Sequence, residues 1–254
     1  RATGPALGGF VVAVTGPAYA FFINAASFLA TLGVVFRWRP RAGRAGSAAS
    51  EPLARMVVAG LQYVWQVEAQ RIVLVRSTMW MLCASAFWGL LPVVAVHELG
   101  LDASGYGLLV TCVGVGAVAG AFALPWLRRR VPTNRLLMLS IVIFTLMYLF
   151  LAWVRWVPLL CVVLSIGGAA WTTSNQNFQI AVQMTAPRNM AARAIAAYLL
   201  TFQGGQAIGA AVWGALADRV GDPVTLTLAA LGTSLGLLAA AKWVVDDPGP
   251  SLGA

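Results

Sequence analysis

Trp171, Thr172, Thr173, Ser174, Asn175, Gln176, Asn177, Gln179 and Gln183 crowd one otherwise apolar stretch of the chain. Asn175, Gln179 and Gln183 recur every four residues, so a helix carries them on one face. Trp171 and Thr172 fall one turn earlier, and Gln176 lies beside the stripe. A side-chain amide donates and accepts hydrogen bonds without carrying charge. Buried in hydrocarbon without a partner, each costs roughly 2–7 kcal/mol. The stripe must therefore face a partner helix or a wet cavity. Two readings stay open: hydrogen bonding between helices, or contact with a bound molecule. Gln203 and Gln206 stand at similar depth in the next apolar stretch. Asn24 and Ser27, in an early one, fit helix–helix hydrogen bonding.

Other chemistries find no residues. The chain has no Walker loop, no H-E-x-x-H, no G-x-S-x-G and no C-x-x-C. Cys83, Cys112 and Cys161 all lie in apolar runs and read as small hydrophobes. With one histidine they do not make a metal site, so neither enzyme chemistry nor a cofactor is expected. That histidine, His97, neighbours Glu98 at the end of an apolar run. The pair could exchange protons near neutral pH, or simply form a solvated helix end. No Asp, Glu, Lys or Arg is expected in the middle of a span, where ion-coupled pumps usually keep one.

The elements that position these residues follow from composition. Apolar residues make up 60% of the 254, charged residues 10%, and mean hydropathy is +0.81. A soluble core of this size does not hide so much apolar surface. An all-α polytopic membrane protein is expected, with roughly 20 apolar residues per span. Eight stretches qualify: 2–15, 18–36, 72–96, 105–127, 136–154, 157–184, 194–217 and 224–244. Gly16-Pro17, Val131-Pro132-Thr133-Asn134 and Gly221-Asp222-Pro223 separate several of them. The Arg-rich stretch 37–52 reads as a solvated linker. In 53–69, Met56, Val57, Leu61, Val64 and Trp65 recur near the helical period. That pattern suits an amphipathic helix on the membrane surface or one packed on the protein.

Net charge is +9, yet the basic residues sit between apolar runs rather than in one patch. Topology, not nucleic acid, is the partner they imply: the lipid bilayer. With 37–52 placed in the cytoplasm, alternation leaves only Arg155 and Arg219 of the 17 Lys+Arg on the outer side. The C-terminus then falls in the cytoplasm. Gly4/Gly8, Gly116/Gly120, Gly205/Gly209 and Gly232/Gly236 form small-xxx-small pairs, which suit close helix packing. Pro92 and Pro125 lie near span ends, where they could bend a helix, and Pro125 reads as a stop. The chain opens on Arg1, and the apolar signal is already running at Thr3. This reads as the C-terminal part of a longer polypeptide.

Gly4-Pro5-Ala6-Leu7-Gly8-Gly9 resembles the end of the G-x-x-x-G-P-x-x-G-G antiporter motif in helix 5 of the major facilitator superfamily. Met184-Thr185-Ala186-Pro187-Arg188, Arg193, Tyr198, Phe202-Gln203-Gly204-Gly205, Gly209, Trp213-Gly214 and Ala217-Asp218-Arg219 look like its enterobactin-exporter-like branch, the transmembrane secretion effectors. The resemblance implies helices 5 to 12 of a twelve-helix fold. Residues 1–36 would end the N-terminal bundle, 37–69 hold the linker and amphipathic helix, 70–246 form the C-terminal six-helix bundle, and 247–254 form a tail. Helices 1 to 4 of the same protein would be a missing partner. The loop Leu124-Pro125-Trp126-Leu127-Arg128-Arg129-Arg130 departs from the family's second gating loop by lacking its acidic residue.

The implied function is secondary-active export of a small organic molecule, a siderophore, drug or other amphiphile, driven by a proton gradient across the bacterial inner membrane; the alternatives are a non-transporting membrane protein, such as a sensor or assembly partner, and an inactive fragment of a transporter. In the family, helices 7, 8, 10 and 11 line half of the cavity; here these are 72–96, 105–127, 157–184 and 194–217. The substrate contacts then implied are Phe87, Trp88, Trp171, Asn175, Gln179, Phe202 and Gln203. Gly4, Pro5, Gly8 and Gly9 would shape the contact between helices 5 and 8.

Overall fold

Hydropathy alone calls for helices long enough to cross 30 Å of hydrocarbon, about 20 residues at 1.5 Å each. A computed structural model of the chain describes residues 17–37, 53–187 and 190–241. Its helices are α1 Pro17–Arg37, α2 Leu53–Gln66, α3 Glu68–Val93, α4 Ala103–Arg130, α5 Thr133–Trp153, α6 Val157–Thr185, α7 Ala191–Val220 and α8 Asp222–Ala241. A π-helical turn, Val94–Glu98, extends α3. No strand occurs among the described residues. Five apolar helices are long enough to span a membrane: Glu68–Glu98, Ala103–Arg130, Thr133–Trp153, Val157–Thr185 and Ala191–Val220. The protein is an all-α, multi-pass membrane protein. Helices α1 and α8, of 21 and 20 residues, occupy two further expected spans. The expected span 2–15, the linker beyond Arg37 and the tail 247–254 lie outside the described residues.

Polar residues fix how the ends are laced. At the end of the bundle where α3 begins and α6 finishes, buried Gln70 donates through Nε2 to the Val182 carbonyl at 3.1 Å and to Thr185 Oγ1 at 2.8 Å. Arg76 of α3 donates to Asn134 Oδ1 of α5 at 3.4 Å. Arg71, Arg128, Arg129, Arg130, Arg135 and Arg193 share that end by the alternation of the helices. At the opposite end Arg155 pairs with Glu98 at 2.6 Å. Basic side chains therefore gather at one end of the bundle, as the alternation of charges predicts.

Two expectations need correction. Pro125 does not stop a helix: α4 runs through it to Arg130 and ends at Val131, in extended geometry ahead of Pro132. The stretch Leu124–Arg130, expected as a loop, is thus the last turns of α4. Three arginines there complement the negative end of the helix dipole, and the Arg130 guanidinium lies 4.4 Å from the Trp126 ring. Arg76 turns inward into the bundle. It lies in the third turn of α3, only 7% exposed. Of the two readings of 53–69, packing on the protein describes α2 better. Val64 is fully buried, and Gly60 comes against the backbone of Arg193 in α7, while Trp65 stays exposed.

Two helix pairs approach most closely, α3 with α7 and α4 with α6. α5 packs on α6 and α8, and α8 also meets α3. Glycine sets both close pairs. Gly205 and Gly209 of α7 lie against Thr78 and Leu82 of α3, and Gly116 and Gly120 of α4 against Ser165 and Ala169 of α6. Gly168 of α6 returns the contact onto the Val113 carbonyl. A β-carbon at Gly116, Gly168 or Gly209 would collide with backbone across the seam. Large apolar side chains such as Phe22, Phe122 and Leu235 point outward, as a surface wetted by lipid allows.

Candidate functional site

The α4–α6 seam holds together only where α6 is small. Gly167, Gly168, Ala169 and Ala170 are followed directly by Trp171. Beyond that point α6 presents larger polar side chains, and a cleft of about 460 Å³ lies between them and the α4 residues that alternate with the seam glycines. Thr172, Asn175, Gln176 and Gln179 form one wall, with Trp171 at its head. The facing wall of α4 is smooth and apolar: Val110, Val113, Ala117, Val118 and Ala121, with Gly114. Trp88 of α3 closes the third side. Among the described residues, no Asp, Glu, Lys or Arg lines the cleft.

The amide stripe therefore divides. Thr172, Asn175, Gln176 and Gln179 turn to the cleft, Gln183 is exposed beyond it, and Asn177 and Ser174 turn away into the packed interior, fully buried. The Oδ1 atom of Asn175 is buried and accepts no hydrogen bond. Asn177 Oδ1 and Nδ2 and Ser174 Oγ, on the inward side of α6, are likewise buried without a hydrogen bond among the described residues.

Behind the cleft stands a sheet of rings. Trp88 meets Trp171 edge-on at 5.7 Å and Phe87 at 5.1 Å. Phe144 of α5, fully buried, lies 5.7 Å from Trp171, 5.0 Å from Trp80 and 5.2 Å from Tyr148. Edge-to-face rings at these separations attract beyond simple burial. The front of this cluster is rigidly backed.

Placement of the expected residues differs among them. Trp88, Trp171, Asn175 and Gln179 come together at the cleft. Phe87 is 1% exposed and lies behind Trp88 in the aromatic cluster rather than at the surface. Phe202 stacks on Tyr198 at 5.4 Å along α7, away from the cleft, and Gln203 is exposed on that helix. The lining thus comes from α3, α4 and α6, with none from α7. Gly4, Pro5, Gly8 and Gly9 lie outside the described residues. Phe144 and Tyr148 escaped the sequence reading. A tyrosine midway along an apolar stretch was the available signal, because a buried phenol needs a partner.

Outside the membrane, Asp102 starts α4. Its carboxylate accepts from Ser104 Oγ at 2.7 Å and from the Gly105 N–H at 2.9 Å. The Ser104 hydroxyl first, and then the Gly105 N–H, hold its pKa below the usual carboxylate value.

The transmembrane secretion effector family matches the chain over residues 1–247. The chain belongs to that family, and with it to the major facilitator transporters. None of the curated proteins matches it.

Proposed function

We propose that this transmembrane secretion effector is a proton-driven exporter and that the α4–α6 cleft is part of its substrate cavity. The cargo would be a small organic amphiphile, presented alternately to the two sides of the bacterial inner membrane. Helices α3 to α8 would form the C-terminal six-helix bundle, with its arginine-rich end and the C-terminus in the cytoplasm. One observation carries the reading: a cleft of drug-sized volume, with no charged side chain among its described lining residues, whose walls join two tryptophans to amides. Tryptophan faces and an aliphatic wall hold an apolar body, and the amides orient its polar groups. A fixed anionic group on the cargo would find no countercharge in this lining.

The test is flux in proteoliposomes with an imposed pH gradient, using neutral N-phenyl-1-naphthylamine and cationic ethidium as probes. Asn175→Leu combined with Gln179→Leu should abolish gradient-dependent flux while membrane insertion stays normal. Undiminished flux in that double variant would remove the cleft from the transport path. No flux of either probe in the parent protein would count against export of amphiphiles.

A further inference from the structure

A side chain from another helix stands at one rung of the α3 backbone ladder. The Phe87 N–H donates to the Tyr148 hydroxyl oxygen at 3.1 Å, and that hydroxyl donates to the Cys83 carbonyl at 2.8 Å. Residues 83 and 87 are the i and i+4 members of a single α-helical rung. Tyr148, on α5, thus engages both the donor and the acceptor of that rung. Side chains inserted at a ladder mark the places where helices bend.

The neighbouring turns of α3 also carry side-chain bonds and a missing donor. The Leu82 carbonyl accepts from Trp213 Nε1 of α7 at 2.8 Å and from Ser85 Oγ at 2.8 Å. Pro92 brings no N–H to the Trp88 carbonyl four residues before it. Past it the ladder changes to the π turn Val94–Glu98. The stretch 87–91 therefore lies between a rung supported by α5 and a rung without a donor. Trp88, the α3 contribution to the cleft, is on this stretch. The Tyr148 ring is fully buried and meets Phe144 edge-on, and Phe144 in turn touches Phe87 at 5.8 Å and Trp171 at 5.7 Å. The hydroxyl and the ring of one residue thus reach both tryptophans of the cleft from behind.

We propose that Tyr148 is the positioning residue of the cleft. Its hydroxyl supports the Cys83–Phe87 rung and so fixes the stretch 87–91 in the orientation that presents Trp88 to the α6 amides. When the hydroxyl lets go, that stretch swings and Trp88 leaves the cleft. The importance of this for transport rests on the substrate reading of the cleft; the mechanical claim does not.

Tyr148→Phe is the discriminating variant, since it keeps the ring on Phe144 and removes only the O–H. In detergent micelles, amide hydrogen exchange read over 83–92 should quicken by about tenfold, the loss of one buried hydrogen bond, while α4 and α8 exchange as before. Hydroxyl-radical footprinting of the same samples should show Trp88 oxidised severalfold faster, with Trp126 as internal reference. Unchanged or slower exchange over 83–92, or unchanged oxidation of Trp88, would overturn the proposal. Tyr148→Leu guards against a packing effect: it should match Tyr148→Phe in exchange over 83–87, and a Leu-only effect would overturn the role of the hydroxyl. Both readings are made without substrate. They stand or fall separately from the flux of the Asn175→Leu and Gln179→Leu double variant.

Discussion

The α3–α7 and α4–α6 pairs use the same device and end differently. Each sets two glycines four residues apart on one helix against the backbone of the other. In α3–α7 the seam runs on to Trp213, whose Nε1 reaches the Leu82 carbonyl one turn past Gly209, and the smaller cleft beside it, about 220 Å³ next to Thr78 and Thr201, has almost wholly apolar walls. In α4–α6 the run of small residues stops at Ala170, and Trp171 and the amides beyond it cannot interdigitate as closely. The difference teaches that a cavity between membrane helices needs no special backbone. Small residues hold the helices together, and the larger side chains beside them leave room for a cleft, which the amides of α6 make polar in the α4–α6 pair.

The comparison breaks most visibly at the glycines. Gly168→Val puts a branched side chain onto the Val113 carbonyl, where a single β-carbon already collides. Overpacking of this kind costs about 1–3 kcal/mol and sometimes more. Gly204→Ala is the control, because nothing stands within 4 Å of its missing β-carbon. It should be neutral or stabilising by roughly 0.5–1 kcal/mol, the gain of alanine over glycine within a helix. Thermal unfolding in detergent measures both. Equal effects of the two substitutions would show that the α4–α6 seam is looser than its backbone contacts require.

A smaller effect is expected where α3 and α6 are laced together. Gln70 is fully buried and donates to both the Val182 carbonyl and Thr185 Oγ1. Gln70→Ala removes the two bonds, and roughly 1–2 kcal/mol of stability should go with them. Because this tie lies at the arginine-rich end, the loss should appear as faster amide exchange in the last turn of α6, not around Trp171. A loss spread evenly over α6 would mean that the tie and the cleft are one cooperative unit.

Much of this was legible in the amino acids. The spans follow from hydropathy, because lipid demands apolar length and nothing subtler. Asn175 and Gln179 declared a shared face by their spacing, and the cleft lies on that face. Which amides would turn inward instead was not legible, since Asn177 differs from Asn175 only by about 200° of rotation around α6. Gln203 could have been placed. It stands two residues before Gly205, again about 200° around the helix, and so lies opposite the glycine face that meets α3. Its exposure follows from that register. Pro125 misled because proline spacing was read without its surroundings: three arginines and the Trp126 ring favour the turn that proline weakens. The Tyr148 contact at Cys83 and Phe87 joins residues more than sixty positions apart, and no local pattern announces it.

The smallest expected effect separates the two helices of the open pair at their starts. Helix α6 begins at Val157, with Pro158 in its first turn and no side-chain cap, whereas α4 begins with the Asp102 carboxylate bonded to the Gly105 N–H and to Ser104. The folded-state pKa of Asp102 is depressed, so the folded protein favours the charged form. Its contribution is complete above the unfolded-state pKa and disappears as pH falls through the lower folded value. Asp102→Ala should therefore speed amide exchange in the first turn of α4 at neutral pH and leave the first turn of α6 untouched. As the pH is taken below the depressed folded-state pKa, the two proteins should converge once exchange is corrected for its intrinsic pH dependence. A gap that persists unchanged at acid pH would mean that the cap acts through the shape of the Asp102 turn rather than through its charge. The α4 wall of the cleft would then owe nothing to ionisation at its outer end.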